Sequence, residues 1–199
     1  MFTGIIKEIG KITEVHKEGS LTVFTIFAPK TLEGKKIGES IAVNGVCVTI
    51  VSIKNDEFKC EIMEESASKS NLGELSKNDG VNLEPAIKLA QSLDGHLVQG
   101  HVDTTTKIKK IKESDSQTKI TFELPKEIEK YISLKGSITI NGVSLTICDL
   151  KDETFSVALI PHTLKTTNLG NLEKEDKVNL EVDIIARYLE RLIKIDNYK

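Results

Sequence analysis

The chain has 199 residues, 39% of them hydrophobic and 29% charged, with a net charge of −3. That balance is ordinary for a globular protein and allows one large domain or two of about 100 residues. It offers no basic footprint for nucleic acid and no polybasic membrane anchor, and no apolar run approaches the roughly 20 residues of a spanning helix.

The opening "MFTGIIKEIG" lacks the basic start and longer apolar run of a signal peptide, so a cytoplasmic location is expected. Residues 5–15, 21–27, 41–43, 46–53, 58–63 and 81–83 are short segments rich in Val, Ile, Thr and Phe. They are bounded by turn signals such as "KEGS", "NG" and "KND". "NG" between apolar runs predicts a tight hairpin, because Gly tolerates positive φ and Asn does so better than most residues. Brief helical insertions are expected at 126–132 ("KEIEKYI") and, more weakly, at 31–36.

The second half repeats the first. A shift of 97 aligns residues 40–84 with 137–181 without a gap, and about 19 of those 45 positions are identical. "NGVCVTI" (44–50) returns as "NGVSLTI" (141–147), "NLG" at 71–73 as 168–170, and "VNLE" at 81–84 as 178–181. A shift of 96 places Gly4 on Gly100. Six short strands per copy suit a small closed barrel, which removes exposed sheet edges.

The last segment, "VDIIARYLERLIK", leaves the repeat. Ile184, Ile185, Tyr188, Leu189 and Leu192 recur at helical spacing as one apolar stripe. Such a helix either folds back onto its own barrel or packs on copies of itself.

Several differences between the halves fall on polar or reactive positions: Cys47 against Ser144, Ile5 against His101, Ala86 against Asp183, Glu65 against His162. Thr49 and Thr146 are common to both. The pattern suits a protein that holds two ligands of similar shape and treats them differently. Plainer readings stand beside it. Asp183 precedes the terminal helix as an N-cap would, and Thr is favoured in strands anyway. Cys60 and Cys148 read as core thiols. His96 and His101, five apart, would point to opposite faces of a strand and so share no metal. The three cysteines show no metal-ligand spacing.

Taken together, "MFTGII", "SIAVNGVCVT", "SITINGVSLT", "GHLVQGHVD" and "IPHTLKTTNLG" resemble the two-barrel, lumazine-dismutating riboflavin synthases, over nearly the whole chain. The resemblance implies an all-β fold of tandem duplicated six-stranded Greek-key barrels with a C-terminal α-helix. The lumazine-binding barrels would span 1–96 and 97–183, and the trimerisation helix and tail 184–199. It implies a homotrimer with active sites between subunits, an association with lumazine synthase, and no cofactor, metal, nucleic acid or membrane partner. The implied activity converts two 6,7-dimethyl-8-ribityllumazine molecules into riboflavin and 5-amino-6-ribitylaminouracil by transfer of a four-carbon unit. A non-catalytic lumazine- or flavin-binding protein on the same fold is the alternative. A flavin reductase would need a nucleotide-binding domain, and there is no GxGxxG.

Carried over by motif, the catalytic candidates are His101, Cys47, Ser144 and Asp183. In the first half the substrate-lining candidates are Gly4, Ile5, Ile6, Cys47, Val48, Thr49, Glu61, Ile62, Met63, Glu64, Glu65 and Ser66. Gly100, His101 and Val102 follow at the junction. In the second half they are Lys135, Ser144, Leu145, Thr146, Ala158, Leu159, Ile160, Pro161, His162 and Thr163. Glu64 stands where many relatives carry lysine, and His162 where an acidic residue is common. Imidazole suits removal of a proton from the lumazine methyl group, because it titrates near neutrality.

Overall fold

The computed structural model describes residues 1–196. Its first barrel comprises β1 (Glu8–Glu18), β2 (Leu21–Phe27), β3 (Ser40–Val43), β4 (Val46–Lys54), β5 (Glu57–Met63) and β6 (Gly80–Pro85). The second comprises β7 (Thr104–Glu113), β8 (Thr118–Glu123), β9 (Ser137–Ile140), β10 (Val143–Lys151), β11 (Thr154–Leu159) and β12 (Lys177–Val182). Around the first barrel the order is β1-β2-β5-β4-β3-β6, and around the second β7-β8-β11-β10-β9-β12. Every pairing is antiparallel. The tandem Greek-key duplication is therefore real in three dimensions.

Each barrel closes on its own apolar interior. Ile12, Phe24, Ile26, Ile50, Phe58, Cys60 and Leu83 fill the first; Ile108, Phe122, Ile147, Phe155, Val157 and Leu180 fill the second. Cys60 is the core thiol expected, and burial pushes its pKa up to about 12. Cys148 is not: it lies exposed on β10. The pairing register of β10 with β11 slips between Ile147 and Asp149, so Cys148 is the extra residue of a bulge and turns outward beside the buried Ile147.

Three further expectations need correction. β1 starts at Glu8, so residues 5–7 lead into the strand instead of belonging to it. The stretch 126–132 forms only a 3-10 turn at Glu129–Tyr131, and 31–36 only turns. The real short helices are α1 (Glu64–Lys69) and α2 (Pro161–Thr166), one after the fifth strand of each barrel. Both are six residues long, too short to show a helical period in sequence.

The two barrels meet back to back at their Asn-Gly turns. Asn44 and Gly45 have φ of 46° and 81°, and Asn141 and Gly142 repeat those values. A Cβ on Gly45 would lie 2.8 Å from the Gly142 nitrogen, and one on Gly142 the same distance from the Gly45 nitrogen. Glycine is required there by backbone approach as well as by the left-handed conformation.

Six buried asparagines bind this junction: Asn44, Asn71, Asn82 and their counterparts Asn141, Asn168 and Asn179. Asn82 Nδ2 donates to the Asn141 carbonyl (2.9 Å) and to Asn168 Oδ1 (2.8 Å). Reciprocally, Asn179 Nδ2 donates to the Asn44 carbonyl (2.8 Å) and to Asn71 Oδ1 (2.9 Å). The repeated "NG", "NLG" and "VNLE" are thus parts of one interface, each motif supplying one asparagine twice.

α3 (Ile184–Asp196) follows the second barrel, with Asp183 Oδ1 accepting from the Ile185 N–H (2.9 Å) as a cap. Glu190 ties it down. Its carboxylate accepts from Lys130 (2.7 Å) and pairs with Lys194, which together hold its pKa down to about 2. Ile185, Tyr188, Leu189, Leu192 and Ile193 remain exposed. No helix among the described residues is long and apolar enough to cross a membrane.

Candidate functional site

Two equivalent strands, β4 and β10, leave the central turns carrying Cys47 and Ser144. Each is met by a loop from the opposite half of the chain. The Cys47 N–H donates to the Gly100 carbonyl (2.8 Å), and the Ser144 N–H donates to the Gly4 carbonyl (2.8 Å). The two loops pair with each other between the barrels through Phe2 and Val98, with N···O distances of 2.7 and 3.1 Å. A half-site therefore combines a strand of one barrel with the leading loop of the other.

Around Cys47, one crevice is lined by Val48, Thr49, Glu61, Ile62, Met63 and Ser66. An adjoining one has a volume of about 350 Å³ and is lined by Cys47, Glu65, Ser66, Gly100, His101 and Val102. Val48 and Ile62 are buried in the barrel, whereas Thr49, Glu61, Met63 and His101 are exposed. The candidates at 47–49, 61–63, 65–66 and 100–102 are thus brought together, whereas the loop of Gly4, Ile5 and Ile6 runs to the Ser144 side. Glu64 stands apart. It lines a separate hollow on the other side of α1 with Lys17, Leu21 and Ala67, so the acidic residue at this position sits away from Cys47.

The Ser144 side is built alike and then differs. Thr146 is exposed beside the half-buried Ser144, and Leu145 leans on the core. Ala158 is half-buried, Leu159 points inward, and Ile160 is exposed in the place that Met63 holds in the first half. Pro161 opens α2, followed by the exposed His162 and the half-buried Thr163. Ile5 is exposed and Ile6 packs against the second barrel's core. Lys135 is exposed with φ of 66°, where the first half has Gly38 with φ of 91°. Holding a lysine in that region costs about 1–3 kcal/mol, a strain tolerated in one half only.

The largest asymmetry is His96, which the candidate residues taken from the sequence omitted. Its Nδ1 lies 2.7 Å from Ser144 Oγ and its Nε2 3.1 Å from Thr139 Oγ1. Both hydroxyls are peculiar to this half, since the corresponding residues in the first are Cys47 and Ala42. Burial lowers the His96 pKa from 6.5, and the nearby Asp183 charge opposes that shift. The lowered pKa favours the neutral imidazole at pH 7. With its proton on Nε2 it donates to Thr139, leaving Nδ1 to accept from the Ser144 hydroxyl. Asp183 thus caps α3 and also bears on this imidazole.

His96 reaches Ser144 from the segment joining the barrels, which exists once and has no counterpart in the repeat. The segment lies so close that a Cβ on Gly95 would fall 2.0 Å from the Thr3 carbonyl oxygen and 3.0 Å from the Ser144 Cβ. The signal available in sequence was the polar trio Thr139, Ser144 and Asp183 facing Ala42, Cys47 and Ala86. Among the described residues no cluster of His, Cys, Asp and Glu has the makings of a metal site.

Comparison with known proteins agrees with this architecture. The family model for the lumazine binding domain matches twice, over residues 3–86 and 99–183. Curated relatives named riboflavin synthase include one from Actinobacillus pleuropneumoniae, 45% identical over 97% of this chain and 90% of its own length. Another, from Mycobacterium tuberculosis (strain ATCC 25618 / H37Rv), is 42% identical over 98% of both chains. The crystal structure of LumP complexed with riboflavin superposes with a TM-score of 0.85 at 30% identity, covering 92% of this chain and 99% of that one. LumP complexed with 6,7-dimethyl-8-(1'-D-ribityl) lumazine gives 0.83 at 29% identity, with the same coverage. With two lumazine-binding barrels in tandem and relatives of this closeness along nearly its entire length, the chain belongs to the riboflavin synthase family.

Proposed function

We propose that the protein is a transferase that dismutates two molecules of 6,7-dimethyl-8-ribityllumazine. A four-carbon unit passes from one to the other, and riboflavin and 5-amino-6-ribitylaminouracil leave. The observation that carries this reading is the pair of equivalent half-sites with unlike reactive groups: Cys47 beside His101 in one, and Ser144 on His96 in the other. Two copies of one substrate call for two similar sites, and opposite chemical roles call for different side chains. Neutral His96 suits proton transfer through Ser144. His101 suits attack on an acidic methyl proton from the Cys47 side. Main-chain N–H groups and the Thr49 and Thr146 hydroxyls suit the negative charge that spreads into the ring. Holding both molecules in one enclosed arrangement would supply much of the acceleration.

Purified protein given the lumazine alone is expected to form one riboflavin and one pyrimidine for every two lumazines consumed. A folded preparation that forms a stable, unreactive lumazine complex would favour the pigment-binding alternative. The intact asymmetry at Ser144, His96 and Cys47 favours the enzyme.

Assembly into a homotrimer, with each active site shared between one chain's first barrel and its neighbour's second, follows from the same reading. It is supported by the exposed apolar row Ile185, Tyr188, Leu189, Leu192 and Ile193, which Glu190 and its lysines leave turned away from the barrel. Ending the chain after Arg187 is expected to give monomers by light scattering and to lower turnover at least tenfold. An undiminished trimer would separate the helix from assembly. Association with lumazine synthase and a cytoplasmic location belong to the same proposal.

A further inference from the structure

Glu84 and Glu181 are buried carboxylates at equivalent places on β6 and β12, 5% and 3% exposed, and neither lines the two crevices beside Cys47. Each is instead surrounded by main-chain donors. Glu84 accepts from the Thr3 N–H (2.7 Å) and hydroxyl (2.8 Å) through Oε1, and from the Gly4 N–H (2.9 Å) through Oε2. Glu181 accepts from the Gln99 N–H (2.6 Å) through Oε1, and from the Gly100 and His101 N–H groups (2.9 and 3.0 Å) through Oε2. Desolvation raises both pKa values, and the converging N–H groups oppose that rise. Taking a carboxylate out of water is costly unless its oxygens are fully used, as they are here.

The loops so held are those that cross to the other barrel. Gly4 and Gly100 have φ of 78° and 82°, and a Cβ on either would lie 2.5 Å from the Ser144 Cβ or 2.6 Å from the Cys47 Cβ. The loop is thus pressed against the opposite half-site, where its carbonyl takes up the N–H of Ser144 or Cys47. We propose that Glu84 and Glu181 are positioning residues acting crosswise: Glu181 of the second barrel sets the loop that completes the Cys47 half-site, and Glu84 of the first sets the loop that completes the Ser144 half-site. The assignment of those half-sites to lumazine rests on the function proposed above; the crosswise coupling does not.

Glutamine tests it, because its single acceptor oxygen cannot serve three donors and its NH2 group would face N–H groups. With the exposed Cys148 replaced by serine and Cys60 buried, iodoacetamide reads Cys47 alone. Glu181→Gln is expected to raise the labelling rate of Cys47 at least threefold, while Glu84→Gln, although in the same barrel as Cys47, leaves it within twofold. Equal rates in all three proteins, or a larger rise in Glu84→Gln, would overturn the proposal. If Glu181→Gln does not fold, Glu181→Asp keeps both oxygens but withdraws them by one methylene, and the same ordering against Glu84→Asp decides. In turnover assays, each glutamine variant is expected to lose about tenfold or more in kcat/KM. Labelling that follows the crosswise order in a protein that makes no riboflavin would uphold the coupling and remove the enzyme reading. The converse result would do the reverse.

Discussion

Replacing His96 by alanine is expected to lower kcat by about 10²–10⁴-fold, the range for losing a positioned proton-transfer group, with a much smaller change in KM. The geometry ties this effect to Ser144, whose hydroxyl is 2.7 Å from Nδ1. If the two act as a unit, Ser144→Ala should cost about as much, and the double variant little more than either alone. Full additivity would break the pair. The pH profile gives a second reading. Burial lowers the His96 pKa from 6.5, so the neutral, proton-accepting form predominates at pH 7, and activity is lost as pH falls through that lowered value. The acid limb should lie below pH 6.5. Asp183 acts in the opposite sense, raising the pKa, so Asp183→Asn should move the acid limb to still lower pH. A shift upward would contradict the placement of that charge. His101→Ala serves as the comparison. Its exposed ring lines the Cys47 crevice, whereas the Ser144 hydroxyl is bonded to His96, so its loss should leave the Asp183-dependent limb in place.

Much of this was legible in the chain because duplication writes the same physics twice. The Asn-Gly turns, the six strands per copy and the pairing of Cys47 with Ser144 follow from the repeat, and the barrels bear them out. What the repeat could not supply lies where the copies have no counterpart. His96 sits on the single connection between barrels, and a two-fold arrangement with one connection must be asymmetric there. Its role needed the folded path of that segment over Ser144. The helices α1 and α2 escaped for a different reason, since one and a half turns carry no periodicity. Cys148 reads as buried when a free thiol beside an apolar strand is taken as a small hydrophobe, but it follows the inward Ile147 at a bulge and so faces outward. The repeated "NLG" and "VNLE" were visible, but their purpose was not. Asn71 and Asn179 are 108 positions apart, and nothing local announces that they meet.

That meeting carries the second large effect. Asn179→Ala should destabilise the protein by about 3–5 kcal/mol. The side chain accepts from the Asn71 N–H (2.6 Å) and donates to the Asn44 carbonyl (2.8 Å) and Asn71 Oδ1 (2.9 Å), all in an interior where Asn179 is 1% exposed. Alanine leaves the Asn71 N–H and the Asn44 carbonyl buried with those partners gone, and each such group costs about 1–3 kcal/mol. For a chain of this size the thermal midpoint should fall by roughly 10 °C or more. The near two-fold arrangement makes a sharper demand: Asn82→Ala, which strands the Asn168 N–H and the Asn141 carbonyl in the same manner, should cost the same to within about 1 kcal/mol. The exposed Asn171 is the control, where alanine should change stability by less than about 0.5 kcal/mol. Unequal losses at Asn82 and Asn179 would mean that one barrel, and not the junction, depends on these bonds. The junction also sets function, because Cys47 and Ser144 each stand three residues beyond an asparagine of this network. A variant that folds with a loosened junction should therefore lose turnover in excess of its loss of folded protein, since the strands bearing both reactive side chains start from the turns that these six amides hold together.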